Sequence, residues 1–273
     1  MAKDVGLGGA ALFLTAGVAL AQEPAPAIAD NSFLLEEAYN QEPGVVQHIS
    51  AFQLFRGADS WAYTFTQEWP LFGQHHQLSY TLPIQRTHDG PATATGLGDV
   101  AVNYRYQLAG AEGLSVAPRL SLLLPTGRSS LALGTGALGV QANLPVSVVI
   151  ADRLVTHWNA GATVTSSAKN AVGDRATTTA YNVGASVVWL AQPVFNVLLE
   201  LVWTRDETVT GPGRTAASDG LSISPGIRWA HNFSSGLQIV PGIAFPTGVG
   251  PGAGTHAVLL YLSFEHPFRR GSR

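Results

Sequence analysis

Thr255-His-Ala-Val-Leu-Leu-Tyr-Leu-Ser-Phe-Glu-His-Pro-Phe268 decides the reading of this chain. Val258, Leu260, Leu262, Phe264, His266 and Phe268 fall on one face, while Leu259, Tyr261, Ser263 and Glu265 fall on the other. Side chains alternate across a strand with a period of two, so this stretch is a strand with two chemically different sides. Alone it could belong to an ordinary sandwich. The same pattern, however, recurs along nearly the whole chain.

Working outward, residues 237–246 set Leu237, Ile239, Ile243 and Phe245 against Gln238, and residues 220–230 set Leu221, Ile223, Ile227 and Trp229 against Ser222, Ser224 and Arg228. The spans 194–205, 179–190, 154–166 and 137–150 alternate in the same way, as do 114–125, 98–107, 76–86 and 60–69. A first strand over 45–55 is blurred in phase. The sum is about twelve strands, each near the ~9–11 residues that cross a bilayer when tilted. Prolines 83, 118, 145, 225 and 241 fall inside these patterns and predict bulges or strand ends.

The connections separate a barrel from a sandwich. Taken alternately, one set is short: Leu71–His75, Ala109–Glu112, Ala151–Arg153, Ala191–Gln192 and His231–Ser235. The other is long apart from Gly57–Asp59, and comprises Thr87–Leu97, Thr126–Thr135, Ser167–Thr178, Asp206–Asp219 and Thr247–Gly254. Outer-membrane barrels sort their loops this way, with the long ones outside the cell. Trp61, Tyr63, Trp69, Tyr104, Trp158, Trp189, Trp203 and Trp229 all lie on apolar faces, several near strand ends, as an interfacial aromatic girdle requires. The expected fold is therefore all-β: a closed antiparallel transmembrane β-barrel over residues 44–268, its polar faces turned to the lumen.

Composition agrees. The chain has 273 residues, a formal net charge of -3, 12% charged residues and no cysteine. The near-neutral charge offers no basic field for nucleic acid, and the missing cysteines exclude a disulfide framework and thiolate metal sites. Past the N-terminus no apolar run reaches the ~20 residues of a transmembrane helix. Residues 1–21, with an apolar stretch from Val5 to Leu20 ahead of Ala19-Leu20-Ala21, read as a secretory signal peptide. Residues 22–43 read as a periplasmic linker followed either by a short helix capped by Ser32, which rests on the barrel's near end or partly enters it, or by a disordered tail. Residues 269–273 form a C-terminal tail.

Phase assigns Glu68, Arg105, Arg119, Glu200, Arg228 and Glu265 to the lumen. Charges at membrane depth must face water or each other, so these six either knit the interior together or line a polar constriction. Asp99, in Gly96-Leu-Gly-Asp99, reads as a turn residue at the extracellular rim, because no helix follows to make a nucleotide loop. His48 and Ser50 share a face of one strand, a spacing at which a histidine could activate a serine, but no third orienting group is legible. Adjacent His75 and His76 suit no shared metal. No catalytic residue, metal or cofactor is expected.

Three stretches carry a family resemblance: Ser32-Phe-Leu-Leu-Glu-Glu-Ala-Tyr-Asn-Gln-Glu-Pro-Gly-Val-Val-Gln-His48, Gly96-Leu-Gly-Asp-Val-Ala-Val-Asn-Tyr-Arg-Tyr106 and Leu122-Leu-Leu-Pro-Thr-Gly127. Over essentially the whole mature chain it resembles the outer-membrane β-barrel transporters grouped under the label "MetA-pathway of phenol degradation". An aromatic residue near the C-terminus also resembles the closing strand of such barrels, although five residues follow Phe268 here. The resemblance implies a monomeric barrel in the outer membrane of a Gram-negative bacterium that passes small hydrophobic or aromatic compounds. Its partners would be membrane lipid and the solute. Two other classes compete with this channel: a barrel lipid hydrolase using His48 and Ser50, and a structural or adhesive barrel that binds partners through its outer loops.

Overall fold

The computed structural model describes residues 29–89, 92–111, 113–234 and 237–267. The expected signal peptide, most of the linker, Phe268 and the C-terminal tail lie outside the described residues.

Twelve antiparallel strands close into a barrel. They are β1 (Val45–Phe55), β2 (Ser60–Pro70), β3 (His76–Asp89), β4 (Ala92–Leu97 and Val100–Tyr106, extended by Ala109–Ala111) and β5 (Leu114–Val116 and Arg119–Leu124). There follow β6 (Gly139–Ala151), β7 (Leu154–Lys169), β8 (Arg175–Gln192), β9 (Phe195–Gly211) and β10 (Arg214–Trp229, extended by His231–Asn232). The last two are β11 (Gln238–Ala244 and Thr247–Gly248) and β12 (Ala257–Pro267). Each strand pairs with the next, and β12 returns to β1 in continuous register from Val45↔Pro267 to Phe55↔Ala257. Closure satisfies the backbone of every strand and leaves no sheet edge, the condition for strands to cross lipid.

The alternation sorts the side chains as the period requires. On β12, Leu259, Tyr261 and Ser263 are buried inside, whereas Leu260 and Leu262 face outward. Leu120, Val183, Leu201 and Trp158 likewise stand on the outer face, each about half exposed to whatever surrounds the barrel. Such an apolar exterior on a closed barrel is a lipid-facing surface. Among the described residues no helix is long and apolar enough to cross a membrane.

The end that carries the chain's first strand start has the short turns, and the opposite end is taller. The expected long loops at this opposite end are mostly strand instead. β8 runs to 18 residues and β9 to 17, well beyond the ~9–11 that cross a bilayer. The segment 206–219 is a protruding hairpin whose tip is Pro212-Gly213, with Gly213 at φ 64. Both faces of these extensions meet water, so their Thr- and Ser-rich sequence carries no apolar alternation.

Prolines mark breaks in the ladder. Pro118 lies in the gap of β5, and Pro145, opposite that gap, accepts the Ala117 N–H. Pro83 stands opposite the gap of β4 and accepts the Gly98 N–H, and Pro225 does the same for Phe245 at the gap of β11. A proline has no N–H to donate, so the neighbouring strand peels away where the reciprocal bond is missing.

One expectation is corrected. Residues 31–42 form no helix: they are an irregular, bent strap running inside the barrel. Among the described residues the only helical pieces are the 3-10 turns Ser129–Leu131 and Gly250–Gly252.

Candidate functional site

The strap is held by inward-facing polar side chains of the wall. Glu200 on β9 accepts three successive strap N–H groups with one carboxylate oxygen, from Phe33 at 3.1 Å, Leu34 at 2.8 Å and Leu35 at 3.3 Å. These are the donors that a helix capped by Ser32 would have left free at its first turn. Here the wall takes them, and the Ser32 hydroxyl instead meets Ser186 Oγ at 2.7 Å. Consecutive N–H groups converging on one anion bend the backbone around it, which explains the bends at residues 33–35 and the absence of a helix.

Further along, Asn159 receives the Glu36 N–H at 2.9 Å and donates to the Glu36 carbonyl at 2.8 Å. The Ala38 N–H binds Ser147 Oγ at 2.8 Å, and His157 bridges that hydroxyl to the Asp30 carbonyl. Gln107 grips Ala38 and Asn40, and Gln77 takes the Gln41 N–H at 2.7 Å. Apolar strap residues have niches of their own. Phe33 packs on the Tyr261 ring, centroids 5.1 Å apart, over Gly226 and Gly242. A β-carbon at Gly242 would stand 2.6 Å from the Phe33 ring, and one at Gly184 would stand 2.5 Å from Leu35. These glycines are wall positions emptied for the strap.

All six ionisable residues expected in the lumen occupy inward positions, yet they pair little with one another. Among the described residues the one ion pair within the set joins Arg105 to Glu68 at 3.7 Å. The others hold the strap. Arg105 donates to Asn40 Oδ1 at 2.9 Å and to the carbonyls of Glu37 and Tyr39. Arg119 pairs with the strap's Glu36 at 2.7 Å. Arg228 donates to the carbonyls of Asn31 and Ala29 and lies over the Tyr261 ring. Glu265 accepts from Gln47, which itself accepts from the strap's Gln41. The interior network is therefore wall-to-strap rather than wall-to-wall. The sequence reading missed His157, Ser147, Asn159 and Gln107. Their inward phase was legible, but not the partner they serve.

The strap leaves open space. A chamber of about 250 Å³ lies between it and the β1–β5 wall, with Glu68, Arg105 and Arg119 on its lining. A second of about 250 Å³, nearer the turn end, is lined by Arg228 and Glu265. At the tall end a vestibule of about 540 Å³ is bounded by Phe55, Val202, Leu221, Pro246 and Ala257, with the strap's Leu34 at its floor.

The remaining candidates resolve simply. His48 and Ser50 share a face, but it is the outer one. His48 stacks on Phe264 and meets His266 Nε2 at 3.0 Å, while Ser50 pairs with the Tyr63 hydroxyl at 3.2 Å. The histidine does not touch the serine. Asp99 is a loop anchor: its carboxylate accepts from the Gly127 N–H at 2.9 Å and from the Thr135 N–H at 2.7 Å. The segment 125–138 thereby folds into the mouth, where Gln85 donates to the Leu133 carbonyl. The Gly-Asp and Pro-Thr-Gly motifs of the sequence meet in this one contact.

A closed barrel with an apolar outside and a polar, strapped inside has one natural setting. The chain has the fold of an outer-membrane β-barrel. Solved structures share the fold. The "COG4313 outer membrane channel from Pseudomonas putida F1" superposes with a TM-score of 0.63 at 13% identity, covering 87% of this chain and 100% of that one. The NanC porin gives 0.53 at 9% identity, with 80% and 98% covered, and the KdgM porin 0.50 at 8%, with the same coverage. At these identities the likeness is one of fold. No protein-family model matches the chain, and no curated protein sequence matches it.

Proposed function

We propose that this barrel is a channel for passive passage of small molecules across the outer membrane, hydrophobic and aromatic ones included, working as a monomer without cofactor or covalent chemistry. The observation that carries the reading is the space kept inside the barrel: a vestibule of about 540 Å³ at the tall end, lined by Phe55, Val202 and Leu221 together with Gln53, Thr204 and Asp206, stands in line with polar chambers beside the strap. The tall end faces the outside of the cell and the turn end the periplasm. Within the channel, Glu68, Arg105 and Arg119 set the polarity of the middle chamber, and Arg228 and Glu265 that of the lower one. Glu200 keeps the strap seated. The names of the structural relatives, porin and outer membrane channel, support the same reading. The separation of His48 from Ser50 disfavours a hydrolase.

The test is permeation through proteoliposomes and conductance in planar bilayers, with the full chain and with residues 22–43 removed. Solute flux above protein-free membranes, raised by the truncation, is the expected result. Membranes that stay as tight as protein-free ones with either form refute the channel.

A further inference from the structure

The strap is not central in the lumen. Most of its polar contacts between residues 29 and 40 go to side chains on β4 to β10, with Asn40 also bonded to Gln74 in the β2–β3 turn. On the opposite side, where β12 closes onto β1, the strap's contacts are the packing of Phe33 and Leu34 on Leu259 and Tyr261 and one bond from Gln41 to Gln47, and each of the three interior spaces reaches this seam. The inward positions of β1 record this in order. Gln47 lines the lower chamber, Ile49 and Ala51 the middle one, and Gln53 and Phe55 the vestibule. β12 repeats the series in reverse, with Ala257 in the vestibule, Tyr261 in the middle chamber and Ser263 and Glu265 in the lower one. The three spaces are thus stacked along a single seam.

Two contacts separate them. Between vestibule and middle chamber the strap's Phe33 and Leu34 pack with Ile49 against buried Leu259 and Tyr261, an apolar closure. Between middle and lower chambers stand Asn31, Arg228 and Tyr261. There Asn31 Oδ1 and Arg228 Nε are buried without a protein partner, so this second closure has polar atoms to offer a solute.

We infer that solute passes beside the seated strap, along the β12–β1 seam, crossing first the apolar closure at Leu34 and Leu259 and then the polar closure at Asn31 and Arg228. This rests on the channel reading above and adds the route and the solute class. An apolar constriction excludes ions by dewetting, and the polar closure that follows favours a molecule able to hydrogen bond. The middle chamber holds about 250 Å³. The class is therefore a small neutral amphiphile able to hydrogen bond, and the strap is a fixed wall of the path rather than a plug that leaves.

The chain has no cysteine, and Ser32 Oγ lies 2.7 Å from Ser186 Oγ, so the pair Ser32→Cys and Ser186→Cys can lock the strap by a disulfide. The probe is 4-hydroxybenzyl alcohol, entering proteoliposomes whose outer leaflet is lipopolysaccharide. No flux with the unaltered chain refutes the channel itself. Flux in the unaltered chain that persists, within twofold, in the oxidised double variant supports the seam. Flux that falls at least tenfold on oxidation and returns on reduction overturns it in favour of strap displacement. Ala51→Phe, which fills the middle chamber from β1, should cut flux at least tenfold in barrels that still show the heat-modifiable mobility of a folded state. Unchanged flux there also overturns the seam.

Discussion

The carboxylate of Glu200 accepts the backbone N–H of Leu34 at 2.8 Å and reaches the N–H groups of its two neighbours with the same oxygen. Glu200 is fully buried, and hydrogen bonds to a charged acceptor contribute about 1.5–3 kcal/mol each. Much of that is offset by desolvating the carboxylate, so the net effect on docking is smaller than the sum. Glu200→Ala leaves three strap N–H groups facing an apolar methyl and should weaken docking by about 3 kcal/mol, roughly a hundredfold in the docked population. Glu200→Gln, which keeps an acceptor oxygen, should cost about 1 kcal/mol. Thermolysin cleavage within residues 30–40 of the folded barrel reads the difference. Equal protection in all three proteins would remove Glu200 from the role.

Arg105 acts through geometry rather than charge alone. Its guanidinium spans Asn40 Oδ1 and the carbonyls of Glu37 and Tyr39. A lysine at this depth carries the charge but not the fork. Arg105→Lys should therefore loosen the strap nearly as much as Arg105→Ala, by about 2–3 kcal/mol by the same cleavage assay. A lysine variant as protected as the parent would show that only the charge matters.

Gly242 tests the niche for Phe33. Alanine is tolerable for the strand itself, where Gly242 pairs with Tyr261 and Arg228, but its β-carbon would lie 2.6 Å from the Phe33 ring. Gly242→Ala should expose the strap to protease, and adding Phe33→Ala should abolish that extra effect, because the clash then has no partner. Such coupling between contacting residues is what a double-mutant cycle isolates. Simple additivity of the two changes would place Phe33 elsewhere.

The two faces of β9 differ in the opposite sense. Leu201 is half exposed on the outer wall beside Ala185 and Ile223. Leu201→Arg should cost about 2–4 kcal/mol if it lies near the bilayer midplane, measured by urea titration of folding into lipid vesicles. The inward Thr204→Arg, toward the vestibule, should cost under about 1 kcal/mol, since it meets water. Similar costs at both sites would contradict the assignment of the faces.

How much of this was legible in the chain follows from where the solvent changes. Wherever one face meets lipid and the other the lumen, as at Leu259 and Leu260, the period of two is written in polarity, and strand and face can be read directly. Above the membrane both faces meet water, so the hairpin of β9 and β10 through Pro212 reads as loop. The strap was the harder case. Glu36, Glu37, Asn40 and Gln41 have no period, because their order answers to Asn159, Arg105 and Gln77 on different strands. One signal was present and unread: Gly184, Gly226 and Gly242 all fall on inward positions of otherwise regular strands, where a missing side chain implies something packed against the wall.

Asp99 supplies the last prediction. Its carboxylate takes the N–H groups of Gly127 and Thr135 and the Thr135 hydroxyl, and so draws the segment 125–138 into the mouth on the β3–β4 side. The segment's only other hydrogen-bonded tie to β4 among the described residues is Thr126, whose hydroxyl accepts from the Val100 N–H and donates to the Gly98 carbonyl at the near end of the segment. Asp99→Ala should release the segment and increase flux through the mouth several-fold while leaving the strap as protease-resistant as before, since no strap residue bonds to Asp99 or its partners. The released segment should become cleavable near Leu133, which is buried in the parent. Gly134→Ala should mimic it, because its β-carbon would collide with the Asp99 carboxylate. Loss of strap protection in either variant would mean that loop and strap dock as one unit, and the mouth would then report on the gate beneath it.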